Sequence, residues 1–327
     1  MVPTTSSTAT THDVLTLGET MWRLSPSLTQ QRLEAATTLD IHVGGAESNT
    51  AIALARLGKR AAWWSRLPET PPGRHVAAFL RAQGVDVGGV RWGEGRLGTY
   101  YVEFGSVPRP TQVIYDRANS AASQMQPDDF DWERLSGARW LHLTGITPAL
   151  SASCLGTVRR AIAEARQRSV PVSFDLNYRA KLWTPAQAAP VLDELAAQAS
   201  MVIAAERDVK LLFHLSGKPD ALLSNLHARW NQATVVLTHG AGGSTAFDGS
   251  LHHAPAVLVS SPIAIGAGDA FDAGLLDALL DGKSLPEALR QGNALAALKL
   301  TMPGDVALVT RLELDALLAS AASGVLR

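Results

Sequence analysis

Short apolar runs alternate with stretches of helical period along most of this chain, and that alternation limits what it can fold into. Residues 14–17, 61–65, 141–143, 172–175, 201–204 and 234–237 read as brief buried strands. Residues 49–57, 151–168 and 185–199, lying between them, carry apolar side chains at helical spacing, and Gly58 stops the first of these helices. Strands that return only after a helix need crossover connections, so the expected fold is α/β, a doubly wound, mostly parallel sheet flanked by helices. A hairpin around Asp248 and Gly249 and helices over 267–280, 285–300 and 311–322 complete the C-terminal third.

Two stretches break the pattern. Residues 99–104 and 112–117 are aromatic and β-branched runs joined by a Gly, Pro and Ser-rich turn, which predicts an antiparallel hairpin, and residues 33–43 look similar. A small β-sheet lid built from 31–43 and 97–117 is expected over the strand ends of a core formed by 12–30, 44–96 and 118–327. Residues 1–11 lack the basic start and apolar stretch of a secretory signal and are expected to be a disordered tail. A two-stranded unit is marginal alone and its edges invite pairing, so the lid is expected to join a homo-oligomer.

Composition removes several classes of function. Basic and acidic residues number 29 and 30, spread along the chain, so no electrostatic footprint for nucleic acid or an anionic membrane is present. The apolar run 275–280 is broken by Asp277 and is too short to cross a bilayer. Cys154 is the only cysteine, which excludes an intramolecular disulfide and a cysteine-based zinc site and suits a reducing, cytoplasmic setting. The histidines show no spacing of a transition-metal site. A small-molecule ligand remains.

The chemistry is concentrated in Gly266-Ala267-Gly268-Asp269-Ala270-Phe271, at the start of a helix of small residues. Backbone N–H groups at a helix start lack partners, glycines admit a phosphate closely, and the helix dipole favours its charge. Gly266, Ala267 and Gly268 are therefore an anion hole. Asp269 would be repelled by that phosphate unless it has a proton to accept, which points to a general base; taken alone, the segment also reads as a plain helix start where Asp269 only complements the dipole. A dinucleotide fingerprint fails here because Phe271 replaces the third glycine and no further βαβ unit follows. Asp281-Gly282-Lys283-Ser284 resembles the end of a P-loop but joins two helices. A second segment, Gly44-Gly45-Ala46-Glu47-Ser48-Asn49, offers glycines for close approach to a polyol and an amide, Asn49, for its hydroxyls.

Together these two segments resemble the paired signatures of the ribokinase (PfkB) family of carbohydrate kinases, over nearly the whole chain after the tail. Residues 141–151 (Leu-His-Leu-Thr-Gly-Ile-Thr-Pro-Ala-Leu-Ser), Asp175-Leu176-Asn177-Tyr178-Arg179, Gly18-Glu19 and Pro303-Gly304-Asp305 are similar to its 2-keto-3-deoxygluconate (KDG) kinase branch. The resemblance implies a sugar acid and ATP as ligands, Mg²⁺ as cofactor, and phosphorylation of the terminal 6-hydroxyl. It implies sugar-acid contacts from Gly45, Asn49, Tyr100, Tyr115, Arg117, Arg179 and Asp305. Thr238, Gly240 and Gly243 fall in the family's loop near the ATP phosphates, and Asn293 falls where the adenine pocket is lined. Two arginines suit a carboxylate, which a guanidinium fork binds bidentately.

The sequence also departs from the family. An Asn-x-x-Glu motif linked to Mg²⁺ appears as Ala205-Glu206-Arg207-Asp208, which leaves the metal ligands open, and the Asp-Thr linked to monovalent-cation binding is Ile263-Ala264. The latter change predicts a weak or absent potassium site. Alternative readings are a kinase for fructose, ribose or a related keto acid, and a non-catalytic sugar-acid sensor, which would have no need of Asp269.

Overall fold

The computed structural model describes residues 11–28, 30–106, 108–260 and 265–323. In its first half the chain forms β1 (Val14–Leu17), β2 (Met21–Pro26), β3 (Leu39–Gly44), α1 (Ala46–Arg56), β4 (Ala61–Pro68), α2 (Pro71–Ala82), β5 (Asp86–Gly93), β6 (Thr99–Glu103), β7 (Gln112–Asp116), β8 (Leu141–Thr144) and α3 (Ala152–Gln167). The second half adds β9 (Val172–Asp175), α4 (Pro185–Ala196), β10 (Met201–Ala205), α5 (Glu206–Phe213), α6 (Pro219–Arg229), β11 (Thr234–Thr238), β12 (Ser244–Phe247), β13 (Leu251–Ala254), α7 (Ala267–Leu280), α8 (Leu285–Leu300) and α9 (Arg311–Ser323).

Nine strands form the main sheet in the order β13-β12-β11-β10-β9-β8-β1-β4-β5. Every neighbouring pair from β5 to β11 is parallel, and β12 and β13 add an antiparallel edge. The period of two divides the core between its faces. Leu15, Leu17, Ala62 and Trp64 pack with Val158, Ile162, Leu192 and Leu226, whereas Val14, Ala61 and Trp63 pack with Ile52, Leu54, Leu80, Leu276 and Leu295. Helices therefore cover both faces, as the alternation predicts. Among the described residues no helix is long and apolar enough to cross a membrane.

A separate four-stranded sheet has the order β3-β2-β6-β7. Its strand β2 was expected within the core segment 12–30, and the structure moves it to the lid, antiparallel to β3 and parallel to β6. The alternation of β2 places Arg23 and Ser25 on a buried face, so the run carries no apolar signature. Residues 33–35 form a 3-10 turn, and the strand begins only at Leu39. Helix α1 starts at Ala46 with Gly45 as its N-cap, so Asn49 lies inside the first turn. Helices α2, α5 and α6 had no counterpart in the periodicity; α2 and α6 each open with proline, a start signal that length and pattern alone did not use.

Candidate active site

The strand ends Thr144, Asp175, Ala205 and Thr238 and the starts of α1 and α7 meet beneath the inner face of the small sheet. A cleft of about 1260 Å³ lies there, where open α/β sheets bind ligands. At its centre the first helical bond of α7 runs from the Ala270 N–H to Gly266 O at 3.0 Å, leaving the preceding amides without helical partners. Gly266 has φ +76°, and a Cβ there would overlap the Asp305 carbonyl oxygen, so both backbone conformation and space require glycine. The missing side chain of Gly268 leaves open space, room for an anion to approach.

Asp269 stands at the edge of this opening, 8% exposed. Its Oδ2 accepts a hydrogen bond from Asn49 Nδ2 at 2.7 Å, and Asn49 Oδ1 accepts from the Gly45 N–H at 3.3 Å. Burial raises the Asp269 pKa above the ordinary carboxylate value, against the lowering effects of the Asn49 bond and the Arg179 charge. Asp175, Asp272 and Asp208 line the same cleft, and each is also pushed up, chiefly by burial. Asp175 accepts from the Asn177 N–H at 3.1 Å and from Asn177 Nδ2 at 2.8 Å.

Under the lid, Tyr100 and Tyr115 stack with centroids 5.8 Å apart. The Tyr100 hydroxyl donates to Asp305, whose other oxygen lies 2.8 Å from Arg23 Nε. Asp305 is thus held by the lid, and burial raises its pKa. Gly44 makes room for Tyr100 and Asp305, and Gly45 for the Glu19 backbone. Arg117 lines the cleft but its fork is spent on Glu19, with Nε donating at 2.7 Å; Ser120 donates to the other Glu19 oxygen. It does not offer the free cation that was expected. Arg179 does: it is exposed to the cleft, and among the described residues no carboxylate pairs with it.

At the other end, Thr238 and Gly240 line the cleft, the latter at φ +58°. Gly243 and Asn293 do not. A Cβ on Gly243 would overlap Ala254 O, and Asn293 Nδ2 donates to the carbonyls of Ala254 and Pro255 at 3.0 and 3.1 Å, so both serve the turn after β13. In the altered 205–208 motif, Glu206 is occupied by Lys210 at 2.6 Å and His239 at 2.7 Å, while Asp208 borders the cleft. No cluster of three metal-ligating side chains exists among the described residues. Ile263 and Ala264 lie outside the described residues.

Arg23, Glu47 and Asp272 carry no sequence signal for the site, whereas Asp175 had one in its strand-end position. Glu47 is fully buried; its Oε1 accepts from the Thr144 and Thr147 hydroxyls at 2.8 Å each, and Gly18 leaves room for the carboxyl group.

An anion cradle with a buried carboxylate at its rim is the arrangement expected of an enzyme that moves a phosphoryl group to a hydroxyl. Residues 11–311 match the pfkB family of carbohydrate kinases, and the chain belongs to that family. It is 40% identical to the 2-dehydro-3-deoxygalactonokinase of Haloferax volcanii, over 96% of this chain and 99% of that protein. It is 31% identical to the 2-dehydro-3-deoxygluconokinase of Bacillus subtilis, over 90% and 91% of the two chains. The solved 2-dehydro-3-deoxygluconokinase of Thermotoga maritima is similar with a TM-score of 0.87 and 32% identity, covering 95% of this chain and 99% of that one. The fold and enzyme class that the sequence resemblance implies are both found.

Glu47 gives a stability prediction. Burial pushes its pKa from 4.5 up to about 7. Between those values the folded protein holds a proton that the unfolded chain has lost, so stability falls as pH rises through the window. The loss is on the order of 3 kcal/mol by neutral pH. Glu47→Gln keeps an acceptor for the two threonines and cannot ionise, so its melting temperature should fall less than that of wild type between pH 4.5 and 7.5. Parallel melting curves for the two proteins would remove Glu47 from this role.

Proposed function

We propose that this kinase transfers the γ-phosphoryl group of ATP to the terminal 6-hydroxyl of a 2-keto-3-deoxy sugar acid. KDG is the first candidate substrate, and the C4 epimer named for the Haloferax volcanii relative is the second. The observation that carries the reading is Asp269, buried at the mouth of the α7 anion cradle and oriented by Asn49. The sugar hydroxyl approaches Asp269, which accepts its proton as the oxygen attacks phosphorus. The Ala267 and Gly268 amides stabilise charge on the transferring group. Arg179 pairs with the substrate carboxylate, and the Tyr100–Tyr115 wall excludes water. Asp208 would hold Mg²⁺, a hard cation suited to a carboxylate, because it borders the cleft and its ion-pair partner Arg207, 3.3 Å away, is exposed to solvent. The ion would neutralise phosphate charge there.

An ADP-release assay over sugars and sugar acids tests this. KDG or its epimer should be turned over in preference to fructose and ribose, and Arg179→Lys should weaken sugar binding more than ATP binding. Asp269→Asn should lower turnover by roughly a hundred- to ten-thousand-fold while both ligands still bind. Equal use of neutral sugars would defeat the acid-specific reading. An Asp269→Asn enzyme within a few-fold of wild type would remove the base, and no ADP release with any sugar would favour a sensor.

The lid supports a second proposal, a homodimer. Its outward face carries a row across all four strands, Ile41, Leu24, Tyr101 and Ile114, in register. Ile41 is 50% and Ile114 48% exposed, an apolar surface that a second copy would cover. Sedimentation should show a dimer that Ile41→Lys with Ile114→Lys converts to monomer. A wild-type monomer at assay concentrations would contradict it.

A further inference from the structure

Lys299 on α8 is a buried charge that the mechanism above does not use. Its side chain is 0% exposed. Among the described residues no carboxylate lies within ion-pair distance of it, and its Nζ donates to a neutral group, the Met302 carbonyl, at 3.2 Å. An ammonium is costly to bury without a partner, so a charge in this position needs a compensating field.

The surroundings supply one. Met302 opens the turn that leads to Asp305, whose carbonyl oxygen closes against Gly266 of the anion cradle. The Asp305 side chain is gripped from the lid by Tyr100 and Arg23. Lys299 therefore sits behind a turn that touches both the cradle and the lid, where the charges of Asp269 and Asp305 favour its ammonium and that of Arg23 opposes it.

We infer that Lys299 is a built-in cation of the phosphoryl-transfer site: its ammonium fixes the 302–305 turn behind Gly266 and offsets the buried carboxylates, work that a bound monovalent cation would otherwise do. The sequence is compatible with this, because Ile263 and Ala264, just before the cradle, offer no carboxylate to such an ion. A tethered ammonium needs no shell of oxygen ligands to replace hydration, and the carbonyl of Met302 with the field of two carboxylates suffices. Lys299 acts through the turn and the cradle and is a positioning residue; it touches neither ligand in this account.

The inference rests on the kinase reading of Asp269, and the experiment separates the two. Wild type and Lys299→Met are compared in potassium, ammonium and tetramethylammonium chloride at constant ionic strength. ADP release is measured with saturating MgATP and the best sugar acid, and melting temperature is recorded without substrate. Wild-type kcat should be the same in all three salts within about twofold. Lys299→Met in tetramethylammonium should lose at least about tenfold in kcat with little change in KM for the sugar. Potassium or ammonium should restore part of that loss saturably, and should raise the variant's melting temperature where tetramethylammonium does not. A folded variant with wild-type kcat, or a deficit and melting temperature indifferent to the small cations, overturns the inference. So does saturable activation of wild type by potassium, a result that needs no variant to fold. If wild type releases no ADP with any sugar acid, the functional reading fails, while the melting temperatures still decide the cation question.

Discussion

The hydrogen bond from Asn49 to Asp269 joins side chains 220 residues apart in the chain, and the rest of the site is arranged around it. It requires α1 and α7 to lie close together, which the small buried residues Ala51, Ala270 and Ala273 permit. A second link, from the Thr50 hydroxyl to the Asp269 carbonyl at 3.3 Å, ties the same two helices. With both in place, the glycines at the start of α1 and those at the start of α7 open onto one cleft. Neither segment alone could present an acceptor hydroxyl to a phosphate.

The cost of this convergence is electrostatic. Glu47, Asp175, Asp269, Asp272 and Asp305 are all buried near the strand ends, and burial raises the pKa of each. Some of this strain is unrelieved among the described residues: Asp272 Oδ2 and His142 Nε2 lie 3.7 Å apart without hydrogen-bond partners there, and burial holds His142 neutral by pushing its pKa down to about 3. Cations are placed to offset the rest. Arg117 answers Glu19, Arg23 answers Asp305, and Arg179 stays open to the cleft. Such local conflict is characteristic of functional sites, where packing preference gives way to chemistry.

Much of this was legible in the sequence because it is local. The buried parallel strands are short apolar runs, and the cradle is a contiguous glycine motif at a helix start. The missing parts depend on distant partners. Arg23 reads as a surface residue until Asp305 is brought against it, and its strand β2 is therefore invisible to hydrophobic alternation. Arg117 reads as a substrate cation until Glu19 is found beside it. Asn293 is a buried polar side chain on α8, and only the fold shows that it meets the carbonyls after β13.

The central claim is that Asn49 tunes and orients Asp269 as the base. Its most direct test is the acid limb of kcat/KM for the sugar acid, where activity is lost as pH falls and the base becomes protonated. In wild type that limb should lie above the ordinary aspartate range, because burial raises the pKa. Asn49→Leu removes the bond that favours the carboxylate, so the limb should move to higher pH by on the order of one unit. An acid limb that stays where wild type has it would show that Asp269 is not the titrating base, or that Asn49 does not govern it, and would contradict the account.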